Sequence, residues 1–158
     1  MNVTVERCTP DDAEDVAVLA KVLLEEISTI TGEKLFDLNY DNLNRIARTY
    51  IESGVYTVFK AADSGKTGAV GFITLHESLS LYEEGMSGAI PEFFVSRDYR
   101  SHGIGTRLID EAKSFAKVRG WKRLEMAVPP IPLDKQMRVF YKKQGFKITG
   151  SRMNLPLG

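Results

Sequence analysis

The residues with the plainest chemistry in this chain are Arg100-Ser-His-Gly103-Ile-Gly105-Thr106, set between an apolar run and a helical pattern. The run Ile90 to Val95 enters, a polar turn follows, and two glycines open a helix. Glycine carries no Cβ, so the backbone there can come close to a ligand. The first N–H groups of a helix lack intrahelical partners and lie at the positive end of its dipole. Arg100 adds a forked, permanent cation on the approach. Together these residues read as a cradle for phosphate oxygens, although Gly-x-Gly before a helix also serves as a tight strand-to-helix connection. Two familiar phosphate loops are set aside. This turn has no Gly-Lys-Ser/Thr ending, which argues against a P-loop. Position 108 is a leucine where a dinucleotide fingerprint carries its third glycine, and the turn comes late in the chain.

A second group of residues is Val139-Phe-Tyr141-Lys-Lys-Gln-Gly145-Phe146. By itself Tyr141 is explained as a half-buried helical aromatic. A tyrosine has an ordinary pKa near 10 and stays protonated at pH 7. Two carboxylates, Glu92 and Glu125, fall on predicted strands, where alternation allows each to be a surface residue.

These side chains need elements to position them. Asn2 to Cys8 alternates as a strand, and Thr9-Pro10-Asp11-Asp12 reads as a helix start. Val16, Leu19, Ala20, Leu23, Leu24 and Ile27 recur at helical spacing up to Thr31-Gly32, and a second helix is predicted from Tyr40 to Ser53. Strands Val55 to Ala61 and Ala69 to His76 flank a turn at 63–68, and Leu79 to Gly85 reads as a loop. Met86 to Val95 is predicted as one strand, in which Pro91 suggests a bulge. A helix from Gly105 to Val118, a strand from Arg123 to Val128, a stiff Pro129–Pro132 loop and a helix from Asp134 to Lys143 follow. Phe146 to Leu155 supplies the last strand or two. The order β-α-α-β-β-β-α-β-α-β predicts a mixed α/β sheet with helices on both faces and a ligand site at the carboxyl ends of strands.

An aliphatic strand ending in Val95, Arg-x-x-Gly-x-Gly opening a helix, and Phe-Tyr-x-x-x-Gly-Phe some 35 residues on together resemble the GNAT family of N-acetyltransferases. The resemblance covers most of the chain and implies one domain over residues 1–158. It implies a largely antiparallel central sheet in which two parallel central strands splay apart. It also implies acetyl-coenzyme A as cosubstrate, with no metal. The backbone of Phe93, Phe94 and Val95 would pair with the pantetheine arm, and the N–H groups of Ser101, His102, Gly103, Ile104, Gly105 and Thr106 would hold the pyrophosphate, with Arg100 alongside. Asp134 stands where the family often has an asparagine. Tyr141 would protonate the leaving thiolate. An alkyl ammonium is neutral in only about one molecule in a thousand at pH 7, so a base is needed; Glu92 is the first candidate and Glu125 the second. A catalytically silent acyl-coenzyme A-binding module is the alternative function.

Composition bounds the rest. The 21 basic and 21 acidic residues cancel, which argues against a protein built to grip nucleic acid or an anionic membrane. One cysteine, Cys8, permits no disulfide framework and fits a reducing cytoplasm. No stretch approaches membrane-spanning length. The acceptor is expected to be a small-molecule or peptide amine, weakly favoured to be cationic by Glu33, Glu83 and Glu84. A homodimer is left open.

Overall fold

The computed structural model describes residues 1–32, 38–81, 84–127, 135–150 and 152–158. Among them run β1 (Val3–Arg7), α1 (Ala13–Thr31), α2 (Tyr40–Ser53), β2 (Thr57–Asp63), β3 (Ala69–Ser80), β4 (Gly85–Ile90), β5 (Phe93–Val95), α3 (Ile104–Arg119), β6 (Leu124–Met126) and α4 (Lys135–Lys143). The strands form a six-stranded sheet in the order β1-β2-β3-β4-β6, with β5 on β3. All pairings are antiparallel except β4 with β6, which runs parallel.

The sheet is apolar on both faces. Ile104, Leu108, Ile109, Ala112 and Ala116 of α3 pack with Phe59, Ile73, Leu75 and Ile90 on one face. Val16 and Leu19 of α1 pack with Val58, Phe72 and Phe94 on the other. Lys60 ties α1 to this second face: its Nζ lies 2.6 Å from Asp12 Oδ1 and 3.1 Å from Asp15 Oδ2. Burial disfavours its charge, but those two carboxylates more than offset this and hold its pKa above the ordinary 10.5.

Four boundaries differ from the sequence expectation. Thr9 starts a short 3₁₀ turn over Pro10–Asp12, and α1 begins only at Ala13; the Thr9 N–H donates to Asp12 Oδ2 at 2.7 Å and closes that turn on itself. The β3–β4 loop is shorter than expected because the ladder continues to the Ser80–Gly85 pair. The predicted strand Met86 to Val95 is two strands, broken at Pro91-Glu92. Register shows why: His76 faces Ala89, yet Ile73 faces Phe93, so one extra residue is accommodated as a bulge. Lastly, Phe146 to Leu155 forms no strand among the described residues. Phe146 packs against the core, but the apolar side chains after it find no surface to cover, with Ile148 80%, Met153 100% and Leu155 82% exposed.

The break positions the site. Parallel pairing of β4 with β6 covers only Gly88 to Ile90 against Leu124 to Met126. Beyond the bulge, β5 pairs with β3, and among the described residues its far edge carries no ladder. Among the described residues, the parallel pairing of the two strands therefore ends at Ile90 and Met126.

Candidate active site

In the antiparallel β3–β5 ladder, the Thr74 N–H donates to the Glu92 carbonyl and the Ser96 N–H to the Val70 carbonyl. Alternation then turns the Phe94 amide toward β3 and those of Phe93 and Val95 outward. The Val95 carbonyl accepts from Arg100 Nε at 2.8 Å. The Phe93 N–H and C=O and the Val95 N–H have no partner among the described residues, an edge that an extended amide chain could join.

The turn after β5 leads this edge to the N-terminus of α3. Ser101 and Gly103 both adopt left-handed backbone, with φ of 64° and 79°, and Gly103 is the N-cap of α3. No side chain caps this helix and its first turn holds no acid. The contrast with α2 is direct, since the Asn39 side chain accepts the Asn42 N–H there. The N–H groups at the start of α3 are thus left for an anion. Ile104 is buried at 2% exposure, so only its backbone is available. His102 is exposed and its Nδ1 donates to the Arg100 carbonyl at 2.8 Å.

Two residues of this motif act differently from the sequence expectation. Arg100 does not turn into the amide cradle: its Nη2 reaches both Glu26 carboxylate oxygens at 3.0 Å, and its guanidinium lies over the Phe94 ring. Gly105 is closely packed. A Cβ there would stand 3.2 Å from the Phe140 ring and 3.3 Å from the Phe93 ring, whereas one at Gly103 would meet nothing within 4 Å.

That contact brings α4 to the site. Phe93 and Phe140 stack with centroids 6.0 Å apart and planes 7° off parallel. Tyr141 meets Phe93 and Phe146 edge to face. Gly145 explains the spacing of the motif: its φ is +94°, its N–H donates to the Lys142 carbonyl, and the Phe146 N–H donates to the Tyr141 carbonyl. This is a Schellman ending, which folds Phe146 back onto Tyr141. Gln144 Nε2 also donates to Thr106 Oγ1 at 3.1 Å, joining the two helices. Burial pushes the Tyr141 hydroxyl above its ordinary pKa of 10, so it remains a donor at neutral pH.

Glu92 lies at the bulge and faces α1 and α2, at the base of a pocket of about 80 Å³ lined also by Ala20, Ala47, Tyr50 and Tyr56. Burial raises its pKa above 4.5, opposed by the hydrogen bond from Thr74 and by the nearby Tyr56 hydroxyl. A carboxylate so placed binds a proton more readily than one in water, which suits a general base. Glu125 stands differently: it is exposed, and its carboxylate is 2.9 Å from Arg123. Asp134 and the Pro129–Pro132 loop lie outside the described residues, as do Glu33 and Glu83. Thr74, Tyr56 and Glu26 were not singled out by sequence. For Thr74 the available signal was a lone hydroxyl inside the apolar run Val70 to Leu75.

Residues 54–148 match the acetyltransferase (GNAT) domain, and the chain belongs to that acetyltransferase family. It is 31% identical over 152 residues to an uncharacterised N-acetyltransferase of Methanocaldococcus jannaschii; that stretch covers 91% of this chain and 60% of the relative's length. Solved structures share the fold. An aminoglycoside acetyltransferase from an uncultured soil metagenomic sample, in complex with sisomicin, superposes with a TM-score of 0.75 at 18% identity, covering 99% of this chain and 97% of the other. A predicted acetyltransferase from Clostridium acetobutylicum, with acetyl-CoA, gives 0.75 at 17% identity over 98% and 96% of the two chains. A ribosomal-protein-alanine N-acetyltransferase from Brucella melitensis gives 0.71 at 19% identity over 98% and 99%. Among the described residues no helix is long and apolar enough to cross a membrane, and no group of three or more His, Cys, Asp or Glu could hold a metal ion.

Proposed function

We propose that this chain is a single-domain N-acetyltransferase of the cytoplasm that moves an acetyl group from acetyl-coenzyme A to a primary amine by direct attack in a ternary complex. One observation carries the reading: the unpaired edge of Phe93 and Val95 runs toward the uncapped start of α3, with Glu92 on one face of β5 and the Tyr141 ring packed on the other. The outward amides of β5 fit the peptide-like pantetheine arm. The N–H groups from Ser101 to Thr106 fit the pyrophosphate. Acetyl-coenzyme A supplies the thioester. Glu92 accepts the ammonium proton, directly or through water, and frees the nitrogen lone pair to form the new C–N bond. Tyr141 supplies a proton to the sulfur as the C–S bond breaks. Alignment of amine and thioester on this frame contributes as much as either proton transfer.

Glu125 remains the second candidate base, and its exposed ion pair with Arg123 makes it the weaker one. The acceptor is a small-molecule or peptide amine. The decisive experiment mixes protein and acetyl-coenzyme A with a panel of sisomicin, spermidine and an alanine-terminated peptide, and follows free thiol. Amine-dependent thiol release supports the reading. Cofactor binding without release for any amine identifies a silent acyl-coenzyme A-binding module instead.

A further inference from the structure

Thr74 sits in the middle of β3, opposite the bulge, and is 1% exposed. Its own N–H donates to the Glu92 carbonyl at 3.0 Å. An antiparallel pair of this kind normally returns the bond from the opposite N–H to the backbone carbonyl. Here the Glu92 N–H instead donates to the Thr74 hydroxyl oxygen at 3.0 Å. The same hydroxyl donates to Glu92 Oε2. A hydroxyl has one proton and two lone pairs, so it can serve both bonds at once. Valine would match its shape and serve neither.

We propose that Thr74 is the positioning residue of the acetyl-transfer site, locking the Glu92 carboxylate to the β4–β5 bulge through a single hydroxyl. This rests on the reading of Glu92 as the base. One atom fixes both the backbone break that opens the β5 edge and the direction in which the carboxylate points. Rotation of the Glu92 side chain out of its pocket would cost the hydroxyl its only carboxylate partner. The groups facing Glu92 from the surrounding elements are few. Tyr56 lines the same pocket and favours the ionised carboxylate, and Tyr50 of α2 packs against the Tyr56 ring. His76 of β3 also stacks on Tyr56, at 6.0 Å, and favours the ionised carboxylate. From α1 only Val16, Ala17 and Ala20 line this pocket.

The test compares Thr74→Val and Thr74→Ser by carbon-13 titration of the Glu92 carboxyl in the full chain. Loss of a hydrogen bond to an ionised group should raise the Glu92 titration midpoint in Thr74→Val by roughly one unit, with Thr74→Ser close to the parent. The acid limb of kcat/KM, measured on the best amine of the panel, should move by the same amount. Equal midpoints in parent and Thr74→Val, or a shift that Thr74→Ser fails to reverse, would overturn the proposal. Should Thr74→Val fold poorly, Thr74→Ser against Thr74→Ala decides the same question. The base assignment fails separately, if Glu92→Gln keeps the parent's acid limb while the titration midpoints still respond to position 74.

Discussion

Glu92 and Tyr141 serve opposite faces of the sheet, with Phe93 between them. Glu92 faces the pocket under α1 and α2, while Tyr141 packs edge to face on the Phe93 ring at 6.5 Å. A base and an acid separated in this way can hold opposite protonation states at one pH, because neither hydrogen-bonds to the other. Tyr141→Phe should therefore lower turnover by roughly 10²–10³-fold and leave the acid limb of the pH profile in place. Isothermal calorimetry with coenzyme A should show unchanged affinity for this variant.

Stability should respond to Glu92 with a definite sign. Its pKa is raised in the folded protein, chiefly by burial, so folding is favoured when it is protonated. That contribution is fully present below about the ordinary value of 4.5 and is lost as pH rises through the raised value. Glu92→Gln should accordingly melt above the parent at pH 7, and the gap should close as pH falls to 4. A gap of constant size across that range would contradict the burial argument.

The two glycines of the turn should fail for different reasons. Gly105→Ala drives a methyl into the Phe93–Phe140 stack and should destabilise by about 1–3 kcal/mol in urea unfolding. Gly103→Ala meets open space, but holds alanine at a φ of 79° and should cost about 1–2 kcal/mol. Urea unfolding of Gly105→Ala with the Phe140→Leu change in the background should recover part of the loss. Gly103→Ala should gain nothing from Phe140→Leu.

Cys8 should take no part in catalysis. Burial, with Asp12 nearby, pushes its thiol up to about 12, far from a nucleophilic thiolate at neutral pH. Cys8→Ala should retain full activity, and initial-rate lines should intersect as a ternary complex requires. Native protein should resist iodoacetamide until it is unfolded. An acetyl group trapped on the chain without amine would show the ping-pong route.

Much of this site was legible in the sequence. Arg-x-x-Gly-x-Gly marked the strand-to-helix turn, and Pro91 marked the break, because both signals depend on backbone geometry that few residues allow. The Gly145 ending likewise follows from one left-handed residue. What pattern could not show was partnership across the fold. Arg100 is 74 residues from Glu26, and Thr74 is 18 from Glu92. Nothing local in sequence predicts that a guanidinium will meet a carboxylate on α1 rather than an anion in the turn. The predicted final strand failed for a related reason. Alternating apolar residues make a strand only where an apolar face awaits them, and Phe146 is instead drawn back onto Tyr141.

The Phe93–Phe140 stack joins β5 to α4 through carbon contacts, and a neutral amide-to-hydroxyl bond from Gln144 to Thr106 ties the end of α4 to α3. None of these groups ionises in the working range of an enzyme, and none is weakened by added salt. The link between the anion-facing start of α3 and the helix that carries Tyr141 is therefore built from uncharged contacts, indifferent to acidity and ionic strength. Changes in rate with either variable then report on the reacting groups themselves and on the charge of the incoming molecules, not on a loosening of the frame that holds them.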